Sequence, residues 1–278
     1  MNILLTSPPL RNLSTIVLGS FLRDRHFSRM RFSGFNYLLL FCLCWLPNAL
    51  AFGETLTFVK HNSKPKYLED STGLCDQIYS VLAEQLKPYG IELLVDPTLY
   101  PAKRLLSMVE NGEADGFCGL ERTPDREKTF TYISPSLYTV SYLLLAHESE
   151  SFIPTSVDDI IRHNSVVGTF YGTNSSRWLK GHAGLLVNDN FDSLDAAIKL
   201  VGMKKLRYFY YHDLALNYYS NDSQFEVKTL PTRLQHKPHW LVLNKSLSDK
   251  TTQDLTSALA ELYKSGQIKN IYDSFLVE

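Results

Sequence analysis

Three short apolar runs punctuated by two helical stripes constrain this chain more than anything else in it. Leu56-Thr57-Phe58-Val59 is apolar and β-branched, as a strand requires. After a polar loop from Lys60 to Thr72, Gly73-Leu74-Cys75 opens a stretch with Ile78, Val81, Leu82 and Leu86 at helical spacing. Pro88-Tyr89-Gly90 ends it, and Ile91–Val95 reads as a second strand. Pro101 starts another helix with Leu105, Leu106 and Val109 on one face. Asn111-Gly112 stops it, and Gly116–Gly119 is a third strand. Strand–helix–strand–helix–strand predicts an α/β lobe with a mostly parallel sheet and right-handed crossovers.

A second, similar unit follows. Tyr138–Ala146 is a long strand-like run leaving the first lobe. A short helix begins after Ser156, Val166–Phe170 is a strand, and residues 171–175 form a Gly-containing turn into a helix at Arg177–Lys180. Leu194–Leu200 is helical, and Leu206–Tyr211 is a strand ending at His212-Asp213. His239–Asn244 reads as a strand returning to the first lobe. Thr251–Lys264 carries Leu255, Leu259 and Leu262 on one side, and Ile268–Leu276 closes the chain as a helix. In open α/β sheets ligands gather outside the carboxyl ends of the strands, here Gly119 to Glu121 and His212-Asp213. Two crossings, near 145 and 237, place a cleft between the lobes.

The expected division is 52–144 plus 238–278 for lobe 1 and 145–237 for lobe 2. Residues 30–51, just after Arg29, read as a signal peptide: Arg31, the apolar run Tyr37–Leu46, then Ala49-Leu50-Ala51 as the cleavage site. That run is too short for a bilayer, which needs about 20 apolar residues. Cleavage after Ala51 and export to the periplasm are expected. Residues 1–29 read as an upstream extension, with Met30 as the start. The mature chain keeps Cys75 and Cys118, a disulfide pair in an oxidising compartment or two buried thiols. A net charge of −1 with no basic run argues against nucleic acid as partner. His236 and His239 lack metal-ligand spacing, so no metal site is expected, and no nucleotide or nucleophile motif stands out.

The stretch Gly119-Leu120-Glu121-Arg122-Thr123-Pro124-Asp125-Arg126 carries the chemistry. Thr123 suits a helix cap and Pro124 its first position, which puts Arg126 in the first turn. A cation there opposes the helix dipole unless an anion joins it. The alternative is a surface arginine pairing with Glu121 or Asp125.

Taken together, Glu113-Ala114-Asp115-Gly116 running into Thr123-Pro124-Asp125-Arg126, Ser134-Pro135-Ser136-Leu137-Tyr138, and Ser265-Gly266-Gln267-Ile268 to Ile271-Tyr272 resemble the extracytoplasmic solute-binding proteins of family 3. The resemblance implies a two-lobed periplasmic binding protein-like type II fold, α/β, with mostly parallel sheets and two hinge crossings. It implies a non-catalytic monomer that captures a small-molecule ligand, an amino acid or related carboxylate, for an inner-membrane ABC permease or a sensor. No cofactor is implied.

By the same resemblance Arg126 grips a ligand carboxylate. Gly119 and Glu121 help hold the ligand, Asp213 takes an amino group, and His212 is a pocket residue. Thr173 and Asn174 lie on the second-lobe loop that completes the carboxylate site. Apart from the resemblance, Tyr67 and Tyr171 are candidates for the cleft wall, the alternative being scaffold. Departures are Glu121 in place of a small hydroxyl residue, Phe170 where lysine is common, and Lys66 where an aromatic is usual, with Tyr67 one place later. The alternative is an enzyme on the same fold, dehydratase-like, with Glu121 as acid or base.

Overall fold

The computed structural model describes residues 53–221 and 223–276. The expected signal peptide, cleavage site and upstream extension therefore lie outside the described residues.

Strands β1 (Glu54–His61), β2 (Ile91–Tyr100) and β3 (Gly116–Glu121) alternate with helices α1 (Leu74–Leu86) and α2 (Ala102–Glu110). Then come α3 (Pro124–Thr129) and the 18-residue strand β4 (Phe130–His147). The second unit contains α4 (Val157–Arg162), β5 (Val166–Phe170), α5 (Asn174–Lys180), β6 (Leu186–Phe191), α6 (Leu194–Gly202) and β7 (Tyr208–His212). After α7 (Asp213–Asn221) and β8 (Val227–Thr229), β9 (Gln235–Asn244) returns, followed by α8 (Asp249–Lys264) and α9 (Gln267–Asp273).

Among the described residues the strands form one sheet in the order β2-β1-β3-β9-β4-β7-β5-β6, with β8 beside β4. Strand β1 is parallel to β2 and β3, and β5 is parallel to β6 and β7. The parallel expectation holds for these outer triplets. The centre is antiparallel, because β4 and β9 run opposite to each other and to their neighbours β7 and β3. These long strands make the sheet continuous through both crossings.

Packing follows the apolar stripes. Helices α1, α8 and α9 bury Ile78, Leu82, Leu255, Leu259, Leu262 and Ile268 against Leu56 and Phe58. Each such side chain contributes about 1.5–3 kcal/mol on full burial. Leu105 and Val109 of α2 cover the opposite face with Val59 and Phe117. In the second unit Leu194, Ala197, Ile198 and Val201 of α6 pack on Leu143, Leu145 and Phe209. Cys75 and Cys118 are joined by a disulfide, which ties the start of α1 to β3.

Several boundaries differ from the sequence reading. Strand β2 continues through Pro97 to Tyr100, since an edge strand tolerates a missing N–H. The polar β6 has no counterpart among the expected strands, while a helix does begin at Asp213, the alternative to its role as a ligand anchor. No helix among the described residues is long and apolar enough to cross a membrane.

Candidate functional site

A cavity of about 560 Å³ opens where the two halves of the sheet face each other. Residues from β3, α3 and the loop after β1 line one side, and the Tyr171–Ser175 turn with Tyr211 and His212 lines the other.

The β3 side begins with Gly119, whose φ of 93° is a left-handed conformation that favours glycine. A Cβ here would lie 2.5 Å from the Tyr138 hydroxyl. The pairing of β3 with β9 shifts register between Cys118 and Leu120 at this point. Beyond it, Thr123 caps α3 by accepting the Arg126 N–H at 3.4 Å, with Pro124 in the first turn as expected. This seats the half-buried Arg126 at the cavity, where its Nη1 donates to the Glu121 carbonyl at 3.0 Å. Burial pushes the guanidinium pKa down, with Arg177 adding to the effect. An arginine nonetheless stays charged. Neither expected side-chain pairing forms: Asp125 holds Lys128 at 2.8 Å, while Glu121 bonds elsewhere. Arg104 points to Glu113 on the exposed face of α2.

The Glu121 carboxylate reaches across the cavity. Its Oε2 accepts from Asn174 Nδ2 at 2.8 Å, and Lys237 Nζ lies 3.5 Å from Oε1. Asn174 is placed by Thr173, which caps α5 by accepting the Ser176 N–H. Thr173, Asn174 and Tyr171 all line the cavity, Tyr171 with 77% of its surface exposed.

His212 also lines it, buried at the end of β7. Its Nδ1 accepts the Ala215 N–H at 3.2 Å, while Nε2 has no partner. Burial and nearby Lys66 push its pKa well below the ordinary imidazole value, so the ring is neutral with its proton on Nε2.

Two expected residues sit elsewhere. Asp213 is outside the cavity lining: Oδ1 accepts the Leu214 N–H at 2.8 Å, and Oδ2 accepts the Ser141 N–H at 3.0 Å. One of these donors is at the start of α7 and the other is on β4, so each carboxylate oxygen is held by a backbone N–H. Tyr67 is fully buried, its hydroxyl donating to the Cys118 carbonyl at 2.7 Å. It braces β3 behind the site.

The neighbouring Lys66 takes the place in the lining. Its Nζ lies 3.1 Å from Nδ1 of His239, and only 5% of the residue is exposed. Burial is the main force pushing its pKa down to about 7. Glu121 and Asp213 pull it back up, and Arg126 pushes it further down. His61 is held at about 4 by burial and by Lys66, and His239 lies well below the imidazole range for the same two reasons. In the sequence Lys66 stands out only as the position where an aromatic is usual.

A model described as bacterial extracellular solute-binding proteins, family 3, matches residues 70–278. No curated protein sequence matches the chain. Among solved structures, a probable amino-acid ABC transporter extracellular-binding protein from Bacillus subtilis aligns with a TM-score of 0.69 at 14% identity. The alignment covers 80% of this chain and 97% of that one. The GluR0 ligand-binding core from Nostoc punctiforme, in complex with L-glutamate, gives 0.64 at 18% identity over 79% and 98%. An ancestral amino acid-binding protein, described as a precursor of cyclohexadienyl dehydratase, gives 0.64 at 18% over 80% and 95%.

Proposed function

Starting from the fact that this chain belongs to the bacterial extracellular solute-binding proteins of family 3 and has their two-lobed type II fold, we propose that it captures a small polar carboxylate in the cavity without altering it. The carrying observation is the convergence of Arg126, Glu121 and Lys66 from one side with Thr173, Asn174 and His212 from the other, bridged by the Asn174–Glu121 hydrogen bond. Arg126 is the anchor, because its remaining guanidinium N–H groups can pair with a carboxylate; each such charge-assisted bond contributes about 1.5–3 kcal/mol. Gly119 lets the β3 backbone approach the ligand, and Tyr171 closes over it from the exposed turn.

In this reading the protein is exported to the periplasm, with its signal peptide removed after Ala51. Lobe 1 (52–144 plus 238–278) and lobe 2 (145–237) close around the solute, and the loaded monomer delivers it to an ABC permease or a sensor. The structural neighbours include ABC transporter binding proteins, which supports that role.

Thermal unfolding against a panel of amino acids and small carboxylates tests the reading. A true ligand at a hundredfold excess over Kd stabilises the folded state by about 2.7 kcal/mol. Recovery of that ligand chemically unchanged is the expected result. Turnover would point to a dehydratase-like enzyme using Glu121, and no stabilisation by any member would overturn the receptor reading.

A further inference from the structure

The polar groups of the residues that line the cavity are unequally divided between donors and acceptors. Arg126 has spare N–H groups, Lys66 presents an amino group, and His212 holds a buried Nε2–H with nothing to receive it. Leaving a buried donor unpaired is costly, so this proton calls for an acceptor atom from whatever fills the space. His239, whose Nδ1 lies beside Lys66 Nζ, is a second lining imidazole whose buried Nε2 has no partner.

Acceptors are scarce by comparison. Both oxygens of Glu121 are engaged, by Asn174 and Lys237. The Glu121 carbonyl receives Arg126 and the Tyr132 hydroxyl. Asp213 is spent on two backbone N–H groups. Further cations surround the site, with Lys103 in the lining and Arg177 close enough to act on Arg126. An ammonium group entering here would meet these cations, and the carboxylate in the lining, Glu121, already pairs with Asn174 and Lys237.

Resting on the receptor reading above, we propose that the ligand is a dicarboxylate rather than a zwitterionic α-amino acid, with one carboxylate on Arg126 and the other received by Lys66 and the His212 Nε2–H. Leu105, Leu106 and Phe117 supply an apolar wall suited to a methylene chain between the two charges. The departures from the amino-acid binders then share one cause. Lysine at 66 and an aspartate at 213 held by backbone N–H groups outside the lining exchange an ammonium site for a second anion site.

The test compares matched pairs by calorimetric titration of the mature protein: succinate with aspartate, glutarate with glutamate, adipate with 2-aminoadipate. Each pair has the same skeleton and differs by one ammonium. At least one dicarboxylate is expected to bind about tenfold or more tightly than its amino-acid partner, the factor lost with one charge-assisted bond. Lys66→Met and His212→Phe should each weaken that dicarboxylate by a similar factor. Far-UV circular dichroism confirms that the variants fold, and if His212→Phe does not, Lys66→Met carries the test. Amino acids binding as tightly as or more tightly than their partners would overturn the proposal while leaving the receptor reading intact. Unchanged dicarboxylate affinity in folded Lys66→Met would overturn it as well. Binding by neither series would overturn both.

Discussion

Lys66 makes ligand affinity depend on pH in a way that can be worked out from its surroundings. In the free protein its amino group has a pKa of about 7, set mainly by burial. Glu121, Arg126 and Asp213 act on it from neighbouring elements, and His239, His212 and His61 face it. The three imidazoles are held neutral by burial, and arginine does not titrate, so these groups keep their charge from pH 6 to 9. A carboxylate seated beside Nζ favours the ammonium. Above pH 7 binding must then recruit a proton, and affinity falls as pH rises. If the bound amine stays protonated, the free-state fraction predicts a loss of roughly 90-fold between pH 6 and 9, or about 2.7 kcal/mol. Calorimetry with glutarate or succinate, in buffers of different ionisation enthalpy, should find about 0.9 proton taken up per ligand at pH 8. Lys66→Met should flatten the profile. A flat profile in the parent protein, or a slope that survives in Lys66→Met, would refute the reasoning. The ligand-free protein should show the opposite trend: because the unfolded chain binds the lysine proton up to about pH 10.4, this residue's contribution to stability rises with pH above about 7.

Three further outcomes follow from the structure. The Cys75–Cys118 bridge spans 43 residues, and closing such a loop restricts the unfolded chain by about 4 kcal/mol; a Cys75→Ala/Cys118→Ala double variant should lose that stability in urea titrations, and a loss under about 1 kcal/mol would contradict the estimate. Gly119→Ala combines a left-handed φ with a Cβ 2.5 Å from the Tyr138 hydroxyl, so destabilisation of about 2–4 kcal/mol is expected by chemical denaturation. Asn174→Ala removes the bond that bridges the cavity to Glu121, and ligand affinity should fall about tenfold by calorimetry; an unchanged Kd would remove Asn174 from the binding machinery.

Local patterns carried much of this architecture, and particular residues show where they stop. Leu255, Leu259 and Leu262 recur at helical spacing, and all three are buried in α8. Thr123-Pro124 is a complete start signal, readable within four residues, and α3 begins there. Leu186–Phe191 contains Asn188, Asp189 and Asn190, and it pairs on one side only, so alternation was too weak to mark a strand. At Lys66-Tyr67 nothing local says which side chain turns towards the cavity. That choice depends on His239, 173 residues away, and on the Tyr67 bond to Cys118, 51 residues away. Asp213 posed a similar problem. A carboxylate after a strand can cap a helix or face a ligand, and the helix that decides the matter, α7, has a weak apolar stripe.

The most direct measurement is a crystal structure of the protein with its ligand bound. The account predicts a ligand carboxylate in the cavity within about 2.7–2.9 Å of the Arg126 guanidinium, the range of a charge-assisted bond. A ligand seated elsewhere, or an Arg126 side chain turned to bulk solvent while the ligand is held, would contradict it.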